Sequence, residues 1–272
     1  MEGKQRSVES VVNMKVVLLA GGLGTRLSEE TQSKPKPMVE IGGYPILWHV
    51  MKIYSSYDYN DFIVCCGYKG QVIKDYFIHY SRYRRTTTYQ FGEANIEAYS
   101  EDIEPWRITM ANTGLKTLTA GRILRIRDYI GDDETFMLTY GDGVGDINID
   151  QLLKFHHSHG KVATISVTKP AGRFGAIKID EGSGEILNFK EKARKDQSWV
   201  NIGYMVFNRK VFDYLGDGSE MLEASPFEKL AADSQMMAFR HEGFWSPMDN
   251  VHDRQYLEGL WNDDKAPWKL WQ

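Results

Sequence analysis

Apolar residues along the chain fall into two alternating patterns. Behind Lys15, the run Val16 to Ala20 is unbroken and closes on Gly21-Gly22, the form of a strand buried on both faces. Phe62 to Cys66 repeats that form and ends at Gly67. Between them, Ile46 to Tyr57 carries helical spacing after Pro45, and Gln71 to Tyr80 carries it again. Strand, helix, strand, helix is the signature of an α/β fold with a parallel sheet covered by helices on both faces.

Further along, Tyr89–Phe91 and Trp106–Met110 read as strands and Arg122–Ile130 as a helix. Phe136–Thr139 reads as a short buried strand running into Tyr140-Gly141-Asp142-Gly143. Ile149–His157 is predicted helical and Val162–Thr168 extended. Ala176–Ile179 and Ile186–Phe189 read as short strands joined by a turn over Glu181–Gly184. Ile202–Phe207 is strand-like, and Pro226–Ala232 and Val251–Trp261 are helical. No repeat, low-complexity tract or linker interrupts the pattern. Residues 1–13 read as a flexible leader, and 14–272 as one unit with a C-terminal elaboration.

Composition narrows the function classes. Aromatic residues make up 12% of the chain, too many for a disordered segment. A net charge of −4 provides no broad basic field for nucleic acid, so a phosphate ligand must be met by local cations and backbone amides. No apolar stretch has the ~18 residues of a membrane span, and the first residues lack the apolar core of a signal peptide. Cys65 and Cys66 are adjacent on a strand and point to opposite faces, so they do not pair readily. There is no zinc-type cysteine spacing, and a reducing cytoplasm is the expected compartment.

The first strand delivers the chain into GGLGTR, Gly21 to Arg26. Closely spaced glycines let backbone N–H groups approach a phosphate with no Cβ in the way. The dinucleotide fingerprint fits poorly, because Leu27 stands where its third glycine belongs and the second strand ends without an acid. A tight strand-to-helix turn without a ligand remains the bland alternative. Lys34 and Lys36 follow, each before a proline that biases it toward extended backbone at the sheet edge where α/β folds bind ligands. Solvated surface charge is the competing reading for both lysines.

The glycine loop with a lysine ten residues beyond its arginine resembles the signature of sugar-1-phosphate nucleotidyltransferases; that spacing selects Lys36. The strings GGLGTRLSEET, KPKPMVEIGG, FIVCCGYKG, TYGDGV, GRFGA, GFWSPMD and KAPWK resemble the glucose-1-phosphate cytidylyltransferase branch across residues 14–272. The resemblance implies a Rossmann-like, mixed but mainly parallel sheet of the nucleotide-diphospho-sugar transferase type. It implies transfer of CMP from CTP to glucose 1-phosphate with Mg2+, and assembly as a homo-oligomer. It assigns Arg26 and Lys36 to catalysis. It assigns Leu19, Ala20, Gly21, Gly22, Leu23, Gly24, Thr25, Thr117, Arg122 and Gly141 to the nucleotide. It assigns Glu191, Lys192 and Asn201 to the sugar phosphate, and Asp142 and Asp249 to the metal.

Each assignment has a physical reason and a rival. Asp142 follows a strand between two glycines, where bulky ligands can approach, but turn aspartates are common there. Asp249 precedes a helix, the position of an ordinary N-cap. Asp146 reads as a turn residue. His156, His157 and His159 end a helix, where imidazoles favour the dipole and cap carbonyls rather than a metal. Arg122 could meet a phosphate through two parallel hydrogen bonds. Two departures from the family pattern fall on the sugar side: Ala193 follows the Glu191-Lys192 pair, and Ile202 precedes Gly203. Another nucleotide or another sugar or polyol phosphate with the same reaction, or a non-catalytic nucleotide-sugar sensor, are the remaining readings. Trp261 to Trp271 could pack on their own domain or form a subunit contact.

Overall fold

The computed structural model describes residues 14–24, 27, 31–84, 86–90, 95–98, 103–169, 176–180, 182–190 and 199–271. Its centre is a seven-stranded sheet of β1 (Lys15–Ala20), β2 (Asp61–Cys66), β3 (Arg107–Asn112), β4 (Thr135–Tyr140), β5 (Ala163–Thr168), β6 (Val200–Asn208) and β7 (Met236–Arg240). The order across the sheet is β7-β5-β6-β4-β1-β2-β3. β1 runs parallel to β2 and β4, β2 to β3, and β5 to β7. β6 is antiparallel to both of its neighbours, β4 and β5. The sheet is therefore mixed but mainly parallel, as expected.

Seven α-helices are described: α1 (Ile46–Ser55), α2 (Gly70–Tyr83), α3 (Thr119–Arg125), α4 (Arg127–Ile130), α5 (Ile149–His159), α6 (Ser225–Ala232) and α7 (Val251–Asn262). The alternation of β1 decides which face each side chain serves. Val16, Leu18 and Ala20 join the core beneath α1, α2, α5 and α7. Val17 and Leu19 join the core beneath α3, α4 and α6. Both faces are covered, which is why the parallel strands read as continuous apolar runs rather than alternating ones.

Several expectations change. The segment Arg122–Ile130 is two helices, broken at Ile126, and the first begins earlier, at Thr119. Periodicity does not mark β7: Met236 to Phe239 is a short apolar run with no β-branched residue, and its pairing with β5 makes it a strand. Lys36 is not extended: Met38 N–H donates to Pro35 O and Val39 N–H to Lys36 O, so the lysine opens a 3₁₀ turn. Pro37 takes the early helical position where its missing N–H costs nothing. α5 runs two residues beyond the predicted end, to His159, with Gly160 left-handed after it. His156 and His159 both bond the Thr164 hydroxyl, at 2.9 and 2.8 Å.

The C-terminal tryptophans pack back onto their own domain. Trp268 is fully buried, and its Nε1–H donates to His49 Nδ1 at 3.3 Å. His49 Nε2 meets Ile41 O at 2.9 Å, so a neutral imidazole with its proton on Nε2 satisfies both bonds. Trp261 and Trp271 stand edge-on and tilted against the same imidazole. Trp261 also lies over Gly42, where a Cβ would come within 1.9 Å of its Nε1. This cluster ties α7 to α1 and to the short strands Glu40–Ile41 and Tyr44–Pro45.

Burial pushes the His49 pKa down to about 4 from an ordinary 6.5. Between those pH values the unfolded chain binds a proton that the folded chain refuses, so stability falls as pH is lowered through that window. His49 alone should remove ~3 kcal/mol by the bottom of it. We expect the urea midpoint to drop steadily from pH 7 to 4.5, and His49→Gln to make that dependence shallower without abolishing it, since burial also holds His156 and His159 below the ordinary value. An equally steep dependence in the variant would remove His49 as a source.

Candidate active site

The chain goes outward from β1 to β2 and β3, then returns to the other side of β1 as β4. At such a reversal the loops leaving neighbouring strands diverge and open a crevice at their C-terminal ends. A cavity of about 410 Å³ lies there. Leu19, Ala20, Gly21, Gly22 and Gly24 line it from β1, Tyr140 and Asp142 from β4, and Thr117 and Arg122 from the region after β3. Lys36 and Asp249 complete its charged end.

Lys36 is the centre of that end. Its Nζ lies 2.7 Å from Asp142 Oδ2 and 2.6 Å from Asp249 Oδ1. Burial alone would lower the lysine pKa, but the two carboxylates outweigh it and hold the pKa above the ordinary value. The ammonium is therefore charged throughout the physiological range.

The two acids are far apart in sequence and are joined by a small piece of sheet. Gly143–Gly145 pairs antiparallel with Trp245–Pro247, with Gly143 opposite Pro247. The ladder continues one step further, as Met248 N–H donates to Asp142 O at 2.9 Å. Asp142 and Asp249 thus emerge from the same end of one ribbon. The buried Tyr204 hydroxyl anchors it by donating to Gly143 O at 3.0 Å. Asp249 does not cap the following helix. Asn250 does, in a reciprocal capping box with Asp253, and this leaves the Asp249 carboxylate to face Lys36. Asp146 turns elsewhere, to His241 Nε2 at 3.1 Å.

Arg122 lines the cavity and is also tied to the protein around it. Its guanidinium donates to Thr113 Oγ1 at 2.7 Å, Gly114 O at 2.9 Å and Gly21 O at 2.8 Å. It is a bracket that fixes the glycine loop against the loop after β3, and these bonds take up most of its fork. Burial lowers its pKa from the usual arginine value. Gly21 and Gly67 are both required by this packing: a Cβ on Gly21 would sit 2.1 Å from the guanidinium, and one on Gly67 would sit 2.5 Å from Gly21 O.

Other expected residues divide. Gly24 is left-handed, with a φ of 65°, and a Cβ there would come within 3.1 Å of Lys36 Cβ, so the loop and the lysine touch. Leu23 is exposed and does not line the cavity. Gly141 does not line it either, because its N–H is committed to Leu19 O at 3.1 Å. Asn201 lies on β6 and its carbonyl oxygen accepts from Gly203 N–H at 2.9 Å. The group that approaches Gly203 is Tyr140, whose ring carbon would be 2.6 Å from an added Cβ. Lys34 pairs with Glu40 at 2.9 Å, outside the cavity. Thr25, Arg26, Glu191, Lys192 and the GRFG of GRFGA lie outside the described residues. Leu118, Thr119, Tyr140 and Met221 line the cavity without having been singled out. Tyr140 lies within the TYGDGV string, and Leu118 and Thr119 lie between Thr117 and Arg122, whereas nothing in the sequence marks Met221.

A family model described as nucleotidyl transferase matches residues 15–263. The glucose-1-phosphate cytidylyltransferase of Salmonella typhi is 50% identical over 95% of this chain and 100% of its own length. A probable glucose-1-phosphate cytidylyltransferase of Bacillus subtilis is 43% identical over the same shares. Among solved structures, HddC from Yersinia pseudotuberculosis superposes with a TM-score of 0.74 at 21% identity, over 91% of this chain and 99% of that one, which supports the fold. With a family model spanning nearly the whole chain and half the residues shared with a full-length relative, the protein belongs to the nucleotidyl transferase family and groups with its glucose-1-phosphate cytidylyltransferases.

Proposed function

We propose that this protein transfers CMP from CTP to glucose 1-phosphate, giving CDP-glucose and pyrophosphate. The observation that carries the reaction type is the convergence of Lys36, Asp142 and Asp249 beside a glycine loop in one cavity. The two substrates are those named by the full-length relatives.

The attacking group is a phosphate oxygen of glucose 1-phosphate. It forms a bond to the α-phosphorus of CTP as the bond from that phosphorus to the bridging oxygen of pyrophosphate breaks. The nucleophile is already anionic, so no general base is needed, and catalysis reduces to positioning and charge stabilisation. Amides of the Gly21–Gly24 loop receive the triphosphate, with Arg122 holding the loop's shape through Gly21 O. Lys36 offsets charge at the α-phosphate. Arg26 and Thr25 extend the triphosphate cradle, and Glu191, Lys192 and Asn201 hold the sugar phosphate in the same proposal.

Asp142 and Asp249 suit Mg2+. They are oxygen donors brought to within hydrogen-bonding distance of a single cation, the ammonium of Lys36, and magnesium commonly takes one or two carboxylates together with substrate phosphates. When bound there, the metal would supply further positive charge at the reacting phosphates. Among the described residues no cluster of three or more His, Cys, Asp or Glu offers a richer metal site.

The cellular setting belongs to the same proposal. No helix of the described residues is long and apolar enough to cross a membrane. Burial pushes the thiols of Cys65 and Cys66 up to about 12 and about 11, so neither is a reactive thiolate. These features suit a cytoplasmic enzyme. Assembly as a homo-oligomer belongs to the same proposal and rests on the family resemblance.

Pyrophosphate release should be measured with glucose 1-phosphate, Mg2+ and each of CTP, UTP, dTTP, ATP and GTP in turn. We expect release with CTP. Release only with another nucleotide would keep the reaction and overturn the base. Silence with all five would overturn the proposal for glucose 1-phosphate. Chelation of divalent cations should abolish turnover and be reversed by added Mg2+. Lys36→Ala should lower kcat by roughly 10²–10³. Near-normal turnover in that variant would remove Lys36 from the mechanism.

A further inference from the structure

Leu118 and Met221 line the cavity, yet their side chains are 43% and 45% exposed. Exposed apolar groups inside a substrate cavity leave a surface that a ligand can cover. Their backbone is fixed in advance. Met221 lies on the loop after Gly216, and that loop is stapled to the start of α3. Ala120 N–H donates to Glu220 O at 3.3 Å, and Leu222 N–H donates to Thr119 Oγ1 at 2.6 Å. Gly121 and Gly218 are in tight contact, where a Cβ on Gly218 would stand 2.7 Å from Gly121 Cα. A wall held in this way loses little conformational entropy when it is covered.

Position along the sheet says what covers it. Asp142 leaves β4, the glycine loop leaves β1, and the segment leading to Leu118 leaves β3, two strands further out. Neighbouring strands are about 4.8 Å apart, so the apolar wall is roughly 10 Å from the glycine loop and further still from the acids. With the triphosphate on the glycine loop and the sugar phosphate toward β4 and β6, as in the proposed function on which this rests, the nucleoside extends toward β3. An apolar face suits the flat base better than the hydroxylated ribose, and a methionine thioether packs favourably on an aromatic ring.

We infer that Met221, together with Leu118, forms the apolar wall against which the nucleobase packs, making Met221 a positioning residue for the nucleoside half of the nucleotide. It takes no part in the transfer itself.

The test compares two ligands that share the site but not the base. CMP and inorganic pyrophosphate would be titrated separately, with Mg2+, against wild type, Met221→Ser and Met221→Leu. Met221→Ser should weaken CMP about five- to tenfold, leave pyrophosphate unchanged, and raise KM for CTP with kcat retained. Met221→Leu should restore CMP binding, since it restores an apolar wall. Unchanged CMP affinity in Met221→Ser would overturn the inference, as would equal weakening of CMP and pyrophosphate, which marks a collapse of the whole cavity. Failure of the proposed function would show separately, in wild type, as no pyrophosphate release from CTP. If wild type uses another triphosphate, the corresponding monophosphate replaces CMP and the same outcomes decide.

Discussion

The ion pairs of Lys36 with two carboxylates are the interaction on which the site depends. Partly buried charge is costly unless it is paired, and here one ammonium is paired twice. The arrangement holds three charged groups at fixed distances in a partly buried corner of the cavity. In that setting electrostatic stabilisation is stronger than it would be in solvent and needs little reorganisation. Every other part of the charged end serves to bring these three groups together.

Three separate pieces of chain do so, by different means. Lys36 is set by a 3₁₀ turn whose conformation Pro37 favours. Asp142 and Asp249 are set by a short antiparallel ribbon that makes them neighbours although one follows β4 and the other precedes α7. α7 is braced from behind: Gly42 N–H donates to Glu258 at 3.1 Å, and Trp261 and Trp268 close on His49. The aromatic cluster at the chain's end therefore lies in the path that fixes Asp249, because it joins the helix after that acid to the strands after Lys36. Its stability contribution and its effect on the site share one origin.

Arg122 has a structural role that its residue type did not suggest. A guanidinium near a phosphate loop suggests direct recognition. Here the fork bonds two backbone carbonyls and a threonine hydroxyl, and the close fit over Gly21 and Gly67 explains why both positions are glycine. The start of the glycine loop is held in place because an arginine behind it is already engaged with Gly21 O.

Local patterning was enough to determine the α/β class and the placement of most strands and helices, while the choice of Lys36 over Lys34 came from the family resemblance of its spacing from the glycine loop. These rest on side-chain periodicity and on motifs short enough to be read within one segment. It did not determine β7, whose strand character comes from pairing with β5, nor the break at Ile126. It left Asp249 balanced between cap and functional acid, since both roles occupy the same place before a helix; the Asn250 capping box removes the cap reading, and the ribbon to Asp142 brings the carboxylate to Lys36. It left the tryptophan tail undecided for the same reason, because burial against α1 is a long-range contact. Met221 was invisible, because a lone methionine in a loop carries no period and no motif. Only the folded chain, by closing the loop onto α3, placed it in the wall of the cavity.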